Sequence, residues 1–163
     1  MSDLEVLSRR SPGEGEWVPV CGKRETLLPR NSRMQRFLGP RTATLHAVLR
    51  IVAGLLFCQH GLPKLFGGFG SRGPAELFSQ MGLAGIIEVF GGAAIALGLL
   101  TSPVAFLTSG EMAVAYFQAH LPRGFWPVAN GGELAVIFCF VFLYFAATGA
   151  GKWSLDALRK GRH

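Results

Sequence analysis

Apolar residues are gathered into four stretches that follow a polar leader of about forty residues. A helix needs about 20 mostly apolar residues to cross the hydrocarbon layer, and about 17 are tolerated. The pattern therefore predicts four transmembrane helices, of which the third is at the short end. Their approximate bounds are 45–66, 82–100, 103–119 and 131–148.

The connections between the four stretches are short and contain turn-forming residues. The first, 67–81, is rich in glycine, and the third, 121–130, holds two prolines and a glycine. The second and third stretches are joined by the tight turn Thr101-Ser102-Pro103, of which Pro103 already begins the third stretch. Short connections make neighbouring helices antiparallel. The predicted fold is therefore all-α: a polytopic membrane protein built as an antiparallel four-helix transmembrane bundle.

The leader, residues 1–43, is basic and rich in proline and glycine, with poor apolar periodicity. This composition predicts a disordered tail. The transmembrane domain is assigned to residues 44–158, and residues 159–163 form a basic C-terminal tail. The first apolar stretch starts too far along the chain for a secretory signal, so we expect it to stay in the membrane.

The charge distribution predicts the orientation. The formal net charge is +6, and of the 16 lysines and arginines eight lie within 9–41 and four within 152–162. The first and third connections hold one each, Arg72 and Arg123. Basic residues flank the cytoplasmic ends of membrane helices. Both termini are therefore predicted to be cytoplasmic, and the basic residues are assigned to the membrane surface rather than to nucleic acid.

Each apolar stretch also carries ionisable or polar residues, which are costly in a membrane. With the predicted orientation, six of them fall in the outer half of the bundle, and Glu111 lies just beneath. The six are His60, Lys64, Glu88, His120, Asn130 and Glu133. His60 and Lys64 are one helical turn apart on one face. Arg50 is alone near the cytoplasmic side, where we expect it to snorkel to the surface.

Two interpretations of this polar set remain open. The charges could neutralise one another and hold the helices together. Alternatively, they could line a pocket for a small molecule, a quinone head group or a proton, because ionisable residues inside a membrane are commonly functional.

Other chemistry receives little support. The three cysteines form no Cys-x-x-Cys pair, and Cys58 and Cys139 are expected to be packing residues. Nucleotide-binding fingerprints and recognised metal-ligand spacings are absent from the sequence. Small residues such as Gly92 and Ala96 are interpreted as sites of close helix packing.

Several motifs, in order along residues 44–158, resemble those of DoxX family membrane proteins. They are Arg50 followed by His60-Gly61-x-x-Lys64-Leu65-x-Gly67-Gly68, Gly85-x-x-Glu88-x-x-Gly91-Gly92, Leu97-Gly98-Leu99-x-Thr101, Met112 with His120, Asn130-Gly131-Gly132-Glu133 and Gly149-x-Gly151-x-x-Ser154-Leu155-Asp156. The leader lies outside this resemblance.

The resemblance implies a four-helix protein of the bacterial inner (plasma) membrane. The family is named after a small subunit of a thiosulfate:quinone oxidoreductase, and other members are described as oxidoreductase components that manage thiols and oxidative stress. The polar set above would then be the family's polar set. The sequence carries no motif for flavin, haem or an iron–sulfur cluster, so a partner or a quinone would carry the electrons.

The leading hypothesis is a subunit or accessory of a quinone-linked membrane oxidoreductase. His60 and Lys64 would bind an anionic or carbonyl group, Glu88 and Glu133 would transfer protons, and His120 would relay them. Asn130 and Glu111 are assigned to substrate binding. The expected partners are the lipid bilayer, oxidoreductase subunits and a quinone or thiol. The alternatives are a non-enzymatic scaffold that recruits redox enzymes, and a small proton-coupled transporter.

Overall fold

The computed structural model describes residues 8–10, 17–19, 33–68, 73–159 and 161, which fall into two units, 1–37 and 38–163. In the first unit, strand β1 (Ser8–Arg10) pairs antiparallel with strand β2 (Trp17–Pro19), with Arg9 opposite Val18. This hairpin was not predicted. The rest of the leader before residue 33 lies outside the described residues, as do most of the C-terminal tail and Arg72, so the disorder of that part of the leader stays a prediction.

Beyond the hairpin, the regular secondary structure of the described residues is helical, and all four apolar stretches form helices. Helix α1 is Arg33–Leu38, α2 is Thr42–Phe66, α3 is Gln80–Ile86, α4 is Gly92–Leu97, α5 is Thr101–Ala115, α6 is Pro127–Asn130, α7 is Glu133–Thr148 and α8 is Leu155–Arg159. Two π-helical segments continue helices without a break: Ile87–Gly91 joins α3 to α4, and Tyr116–His120 extends α5. Two 3-10 turns complete the chain, Gly39–Arg41 before α2 and Leu121–Arg123 after the second π-helical segment.

The turn between α4 and α5 lies three residues earlier than predicted. It comprises 98–100, with Gly98 at φ 70° and Leu100 at φ 48°. Helix α5 therefore begins at Thr101, and Pro103 lies in its first turn, where a missing N–H costs no hydrogen bond.

The outward faces of the helices are apolar, as expected for contact with lipid. Leu55, Phe90, Phe106 and Phe140, from four different parts of the chain, are each more than half exposed. A soluble protein rarely exposes so much apolar surface. Among the described residues, the helical runs Arg33–Phe66 and Gln80–Leu97 are long and apolar enough to cross a bilayer, whereas α7 is apolar but shorter.

Helices α2 and α4 pack with their backbones in direct contact. A Cβ atom added at Gly54 would lie 2.6 Å from the Ala96 nitrogen and 2.6 Å from the Gly92 oxygen. A Cβ atom at Gly92 would lie 2.6 Å from the Gly54 oxygen. The prediction that Gly92 and Ala96 serve close helix packing is thereby confirmed.

The buried core lies between α2, α5 and α7. The Phe57 and Phe142 rings meet edge to face at 4.7 Å between centroids, and Phe138 stacks on Phe142. Helices α5 and α7 run antiparallel, and the Ser109 hydroxyl donates to the Cys139 carbonyl at 2.8 Å. Cys139 is half-buried in this packing, which agrees with its interpretation as a packing residue.

The prediction that Arg50 snorkels to the surface was wrong. The residue is fully buried, with an exposed fraction of 0%. Its guanidinium donates to the carbonyls of Ile95 at 2.6 Å and Ala96 at 2.8 Å, and to that of Trp153 at 2.8 Å. The carbonyls at the end of a helix carry negative partial charge and can accept further hydrogen bonds, which explains why a buried cation is stable at the end of α4.

The segment after α7 closes the same end of the bundle. The Ser154 hydroxyl accepts from the Ala157 N–H at 3.2 Å and so caps α8. The Asp156 carboxylate instead accepts from the backbone N–H groups of Leu100 and Thr101, each at 2.9 Å. Asp156 therefore caps the start of α5, next to the buried Arg50.

Candidate functional site

A cleft of about 700 Å³ opens at the end of the bundle opposite Arg50, where α2 ends, α3 begins, α5 ends and α7 begins. Its floor is apolar and includes Phe57, Met112, Ala135 and Phe138. Its polar lining consists of His60, Lys64, Ser79, Gln80, Glu88, Gln118 and His120. An apolar cavity of this size with a few polar groups is typical of a small-molecule site.

An ion pair lies in the wall of this cleft. The Lys64 ammonium is 2.7 Å from one oxygen of the Glu88 carboxylate and 2.6 Å from the other. The Glu88 side chain is 3% exposed, whereas that of Lys64 is 26% exposed and reaches the cleft. The cation is therefore the member of the pair that a ligand can contact without unpacking the helices.

Two glycines allow α2 and α3 to approach closely enough for this pair to form. A Cβ atom at Gly61 would lie 2.8 Å from the Gly85 oxygen and 2.9 Å from the Glu88 Cβ. A Cβ atom at Gly85 would lie 3.0 Å from the Lys64 Cβ. Both glycines belong to the motifs that carry the family resemblance, and their close approach explains why glycine occupies these positions.

Glu88 lies in the first π-helical segment, Ile87–Gly91. The Cys58 thiol of α2 donates to the Val89 carbonyl within that segment at 3.2 Å. A π-helical turn inserts an extra residue per turn and rotates the following side chains, and such turns are frequent at functional sites. His120 ends the second π-helical segment, which also carries Gln118, so both segments contribute polar residues to the cleft.

The two histidines lie at the rim. His60 is exposed, and its ring meets Phe138 edge to face at 5.9 Å between centroids. His120 Nδ1 is 3.3 Å from the Asn130 carbonyl oxygen and 3.2 Å from the Arg123 guanidinium. His60 is thus the more accessible of the two to a molecule in the cleft.

The glutamine pair at the mouth of the cleft was not predicted. The Gln80 amide donates to the Gln118 amide oxygen, which joins the start of α3 to the second π-helical segment. Both side chains are exposed and line the cleft. The predictive signal was too weak because neutral amides at helix ends are common surface residues.

The other predicted site residues lie elsewhere. The Asn130 side chain is used within its own loop, where it donates to the Gly124 carbonyl at 2.6 Å and accepts from the Gly132 N–H at 2.7 Å. Glu133 is exposed at the start of α7 and is not part of the cleft lining. Glu111 lies behind the lining, with both carboxyl oxygens buried and no hydrogen-bond partner among the described residues.

The geometry of the cleft does not support a metal site. Across the described ranges, no group of three or more His, Cys, Asp and Glu side chains is placed to hold a metal ion. The site therefore offers one cation, one carboxylate and two imidazoles around an apolar floor. Such groups can bind a carbonyl or an anion and can exchange protons with it.

Comparison with known proteins places the chain among membrane proteins. The DoxX family model matches residues 45–121. An uncharacterised protein of Haemophilus influenzae is 43% identical over 120 residues, which cover 68% of this chain and 87% of the relative. An uncharacterised membrane protein of Mycobacterium tuberculosis is 30% identical over 128 residues, 66% of this chain and 77% of the relative. No solved structure matches the chain.

Proposed function

Because this chain is a membrane protein that belongs to the DoxX family, we propose that it is the quinone-binding subunit of a membrane oxidoreductase. The observation that carries the proposal is the cleft itself. It combines an apolar floor, which suits a quinone ring, with the Lys64–Glu88 ion pair in its wall. Polar groups that are few and placed on one side of an apolar cavity orient a ligand.

The residues of the cleft fit the needs of quinone reduction. Reduction to the quinol takes up two electrons and two protons, and the negative charge that develops on the quinone oxygens is stabilised by nearby cations and donors. Lys64 and His60 provide these groups at the cleft wall and rim. The electrons come from a partner oxidoreductase subunit or a thiol donor, since the sequence carries no redox-cofactor motif. The protein would thereby serve thiol or sulfur metabolism and the response to oxidative stress.

In this proposal the chain crosses the bacterial inner membrane four times, with both termini in the cytoplasm. The cleft then opens in the outer half of the membrane, and Arg50 with Asp156 lies at the cytoplasmic end. Three features support the arrangement: the antiparallel packing of successive helices, the apolar outward faces and the excess of lysine and arginine in the leader and C-terminal tail.

The orientation predicts which loops a membrane-impermeant maleimide can reach in intact cells. Cysteine is introduced at Glu76, exposed in the connection before α3, or at Lys152, exposed between α7 and α8. We expect labelling of Glu76→Cys and none of Lys152→Cys until the membrane is permeabilised, with the unaltered protein as background. Labelling of Lys152→Cys in intact cells would contradict cytoplasmic termini.

Binding of a quinone analogue tests the proposed function directly. We expect purified protein in detergent to bind decylubiquinone, and Glu88→Gln and His60→Ala to weaken binding by about tenfold or more, roughly 1.4 kcal/mol each. Glu88→Gln removes the charge that holds Lys64 at the cleft wall, and His60→Ala removes a rim donor and its ring contact. Binding is measured by equilibrium dialysis against matched empty micelles, because quinones also partition into detergent.

Glu76→Gln is the matched control, because this exposed acid lies outside the cleft lining. It should bind like the unaltered protein. All variants are compared at equal helical content and equal elution from a size-exclusion column. If the unaltered protein fails to bind, or if Glu76→Gln loses binding as strongly as the cleft variants, quinone binding at this site is refuted and the ion pair is a purely structural contact.

A further inference from the structure

Glu111 is an ionisable residue that lies behind the cleft and does not line it. Its two carboxyl oxygens are buried and accept no hydrogen bond from the described residues. The neighbouring hydroxyls on α5 are directed elsewhere, since Thr108 donates to the Ala105 carbonyl and Ser109 to the Cys139 carbonyl. Burying a carboxyl group without a partner is costly, so its position needs an explanation.

The packing of α5 on the first π-helical segment places Glu111 beside Glu88. A Cβ atom at Gly91 would lie 2.8 Å from the Thr108 Cγ2, so these two positions face each other. The two helical stretches run antiparallel, joined by the tight turn at 98–100. One helical turn away from this contact, Glu88 therefore lies opposite Glu111. Glu111 interacts electrostatically with both Glu88 and Lys64.

The charges of these three residues balance only if one proton is added. Lys64 contributes one positive charge, whereas Glu88 and Glu111 would contribute two negative charges if both were ionised. An uncompensated charge in such a wall is strongly unfavourable. Of the other ionisable groups in the cleft, His60 on α2 is exposed, and His120 contacts the Asn130 carbonyl and Arg123 at the rim. His60 interacts electrostatically with Glu88, but neither histidine interacts with Glu111, so neither supplies the missing charge there.

We propose that Glu88 and Glu111 together hold one exchangeable proton behind the cleft, and that Lys64 is the counter-charge that keeps the number at one. In the resting arrangement Lys64 pairs with ionised Glu88, and Glu111 carries the proton. The proton moves between two carboxyl oxygens, so one O–H bond breaks as another forms and no electron is transferred. This inference deepens the proposed function, because such a store could supply a proton to a molecule reduced in the cleft.

Infrared spectroscopy of the purified full chain counts these protons without any ligand. A protonated carboxylic acid has a carbonyl stretch that is separate from the carboxylate bands and shifts in D₂O. We expect a band from one buried acid in the unaltered protein and its loss in Glu111→Gln. We also expect its loss in Glu88→Gln, because Lys64 then pairs with Glu111 and keeps it ionised. Glu76→Gln, which removes an exposed acid, should leave the band unchanged.

Lys64→Met gives the opposite result if the charge balance governs the site. With the cation removed, both carboxyls should be protonated, and the band should grow about twofold by charge balance. A band that is absent from the unaltered protein, or that persists in Glu111→Gln, overturns the proposal. A band that persists at full size in Glu88→Gln shows that Glu111 is protonated independently, which also overturns the shared site. The two isosteric glutamine variants decide the matter even if Lys64→Met does not fold.

The infrared and quinone experiments test the two proposals independently of each other. If the protein holds the proton but does not bind decylubiquinone, the carboxyl pair stands and the proposed ligand is wrong. If it binds the quinone but shows no buried acid, the cleft stands and the proton store is wrong.

Discussion

Replacing Arg50 with methionine is expected to lower the free energy of unfolding by about 3–5 kcal/mol, the range for removing one partner from a buried charged contact. Methionine keeps most of the volume of the side chain but none of its donors. The loss of stability therefore reports the hydrogen bonds rather than a cavity.

The size of the effect follows from how many groups this one guanidinium satisfies. It joins the last carbonyls of α4, Ile95 and Ala96, to the carbonyl of Trp153 in the segment after α7. Without it, the Ala96 and Trp153 carbonyls face a site that excludes water, and each buried unsatisfied acceptor costs about 1–3 kcal/mol. The Ile95 carbonyl keeps the bond from the Gly98 N–H at 3.0 Å. The carboxylate of Asp156, which caps α5 nearby, would also lose a neighbouring positive charge.

The measurement is reversible unfolding of the purified protein in mixed detergent and sodium dodecyl sulfate. Arg123→Met is the control, because that guanidinium is exposed and its hydrogen bonds, to the Ala119 carbonyl and to the His120 ring at 3.2 Å, lie at the surface. We expect it to change stability by less than about 0.5 kcal/mol. Equal effects of the two substitutions would show that the buried contacts at Arg50 do not stabilise the fold.

Gly54→Ala is expected to destabilise the protein by an amount near the upper end of the range for overpacking, about 1–3 kcal/mol. The added methyl group would lie 2.6 Å from backbone atoms of Gly92 and Ala96. Backbone atoms cannot rotate away as a side chain can, so α2 and α4 must separate. Helix α2 carries Lys64, and α4 directly follows the π-helical segment that holds Glu88. Separation of the two helices should therefore weaken the ion pair as well.

Gly110→Ala is the matched control for this substitution. Gly110 is exposed on α5, and a Cβ atom there would meet no described atom within 4 Å. Alanine favours the helix over glycine by up to about 1 kcal/mol. The control should therefore be neutral or stabilising in the same unfolding assay. If Gly54→Ala behaves like Gly110→Ala, the close contact between α2 and α4 is not a source of stability.

Much of the helical layout could be predicted from the chain because the signals for it are local. The length of an apolar stretch predicts a helix, and glycine and proline mark its ends. The error at the turn between α4 and α5 has a local cause too: Leu100 adopts a positive φ, which is uncommon for a non-glycine residue. The capping aspartate that accompanies this turn is 56 residues away from Leu100, so its role was not visible in the local sequence.

The candidate site was predictable in its depth and only partly in its contacts. His60, Lys64, Glu88 and His120 line one cleft, as their convergence at one end of the bundle indicated. Glu111, Asn130 and Glu133 lie at a similar level but outside the lining. Arg50 was assigned to the surface because an isolated arginine usually reaches water, and its acceptors belong to a helix end and a segment about 45 and 103 residues further along the chain.

The sequence alone determined that this is a helical membrane protein, which family it resembles and at which end its polar residues gather. Those properties depend on composition and on the rise per residue along each helix, both of which are local. The tertiary structure decided that Lys64 pairs with Glu88, that Glu111 is buried behind them and that Arg50 holds one end of the bundle. Which way a side chain points depends on the rotation of its helix. That rotation is set by contacts such as Gly54 on Ala96 and Gly61 on Gly85, between residues far apart in the chain.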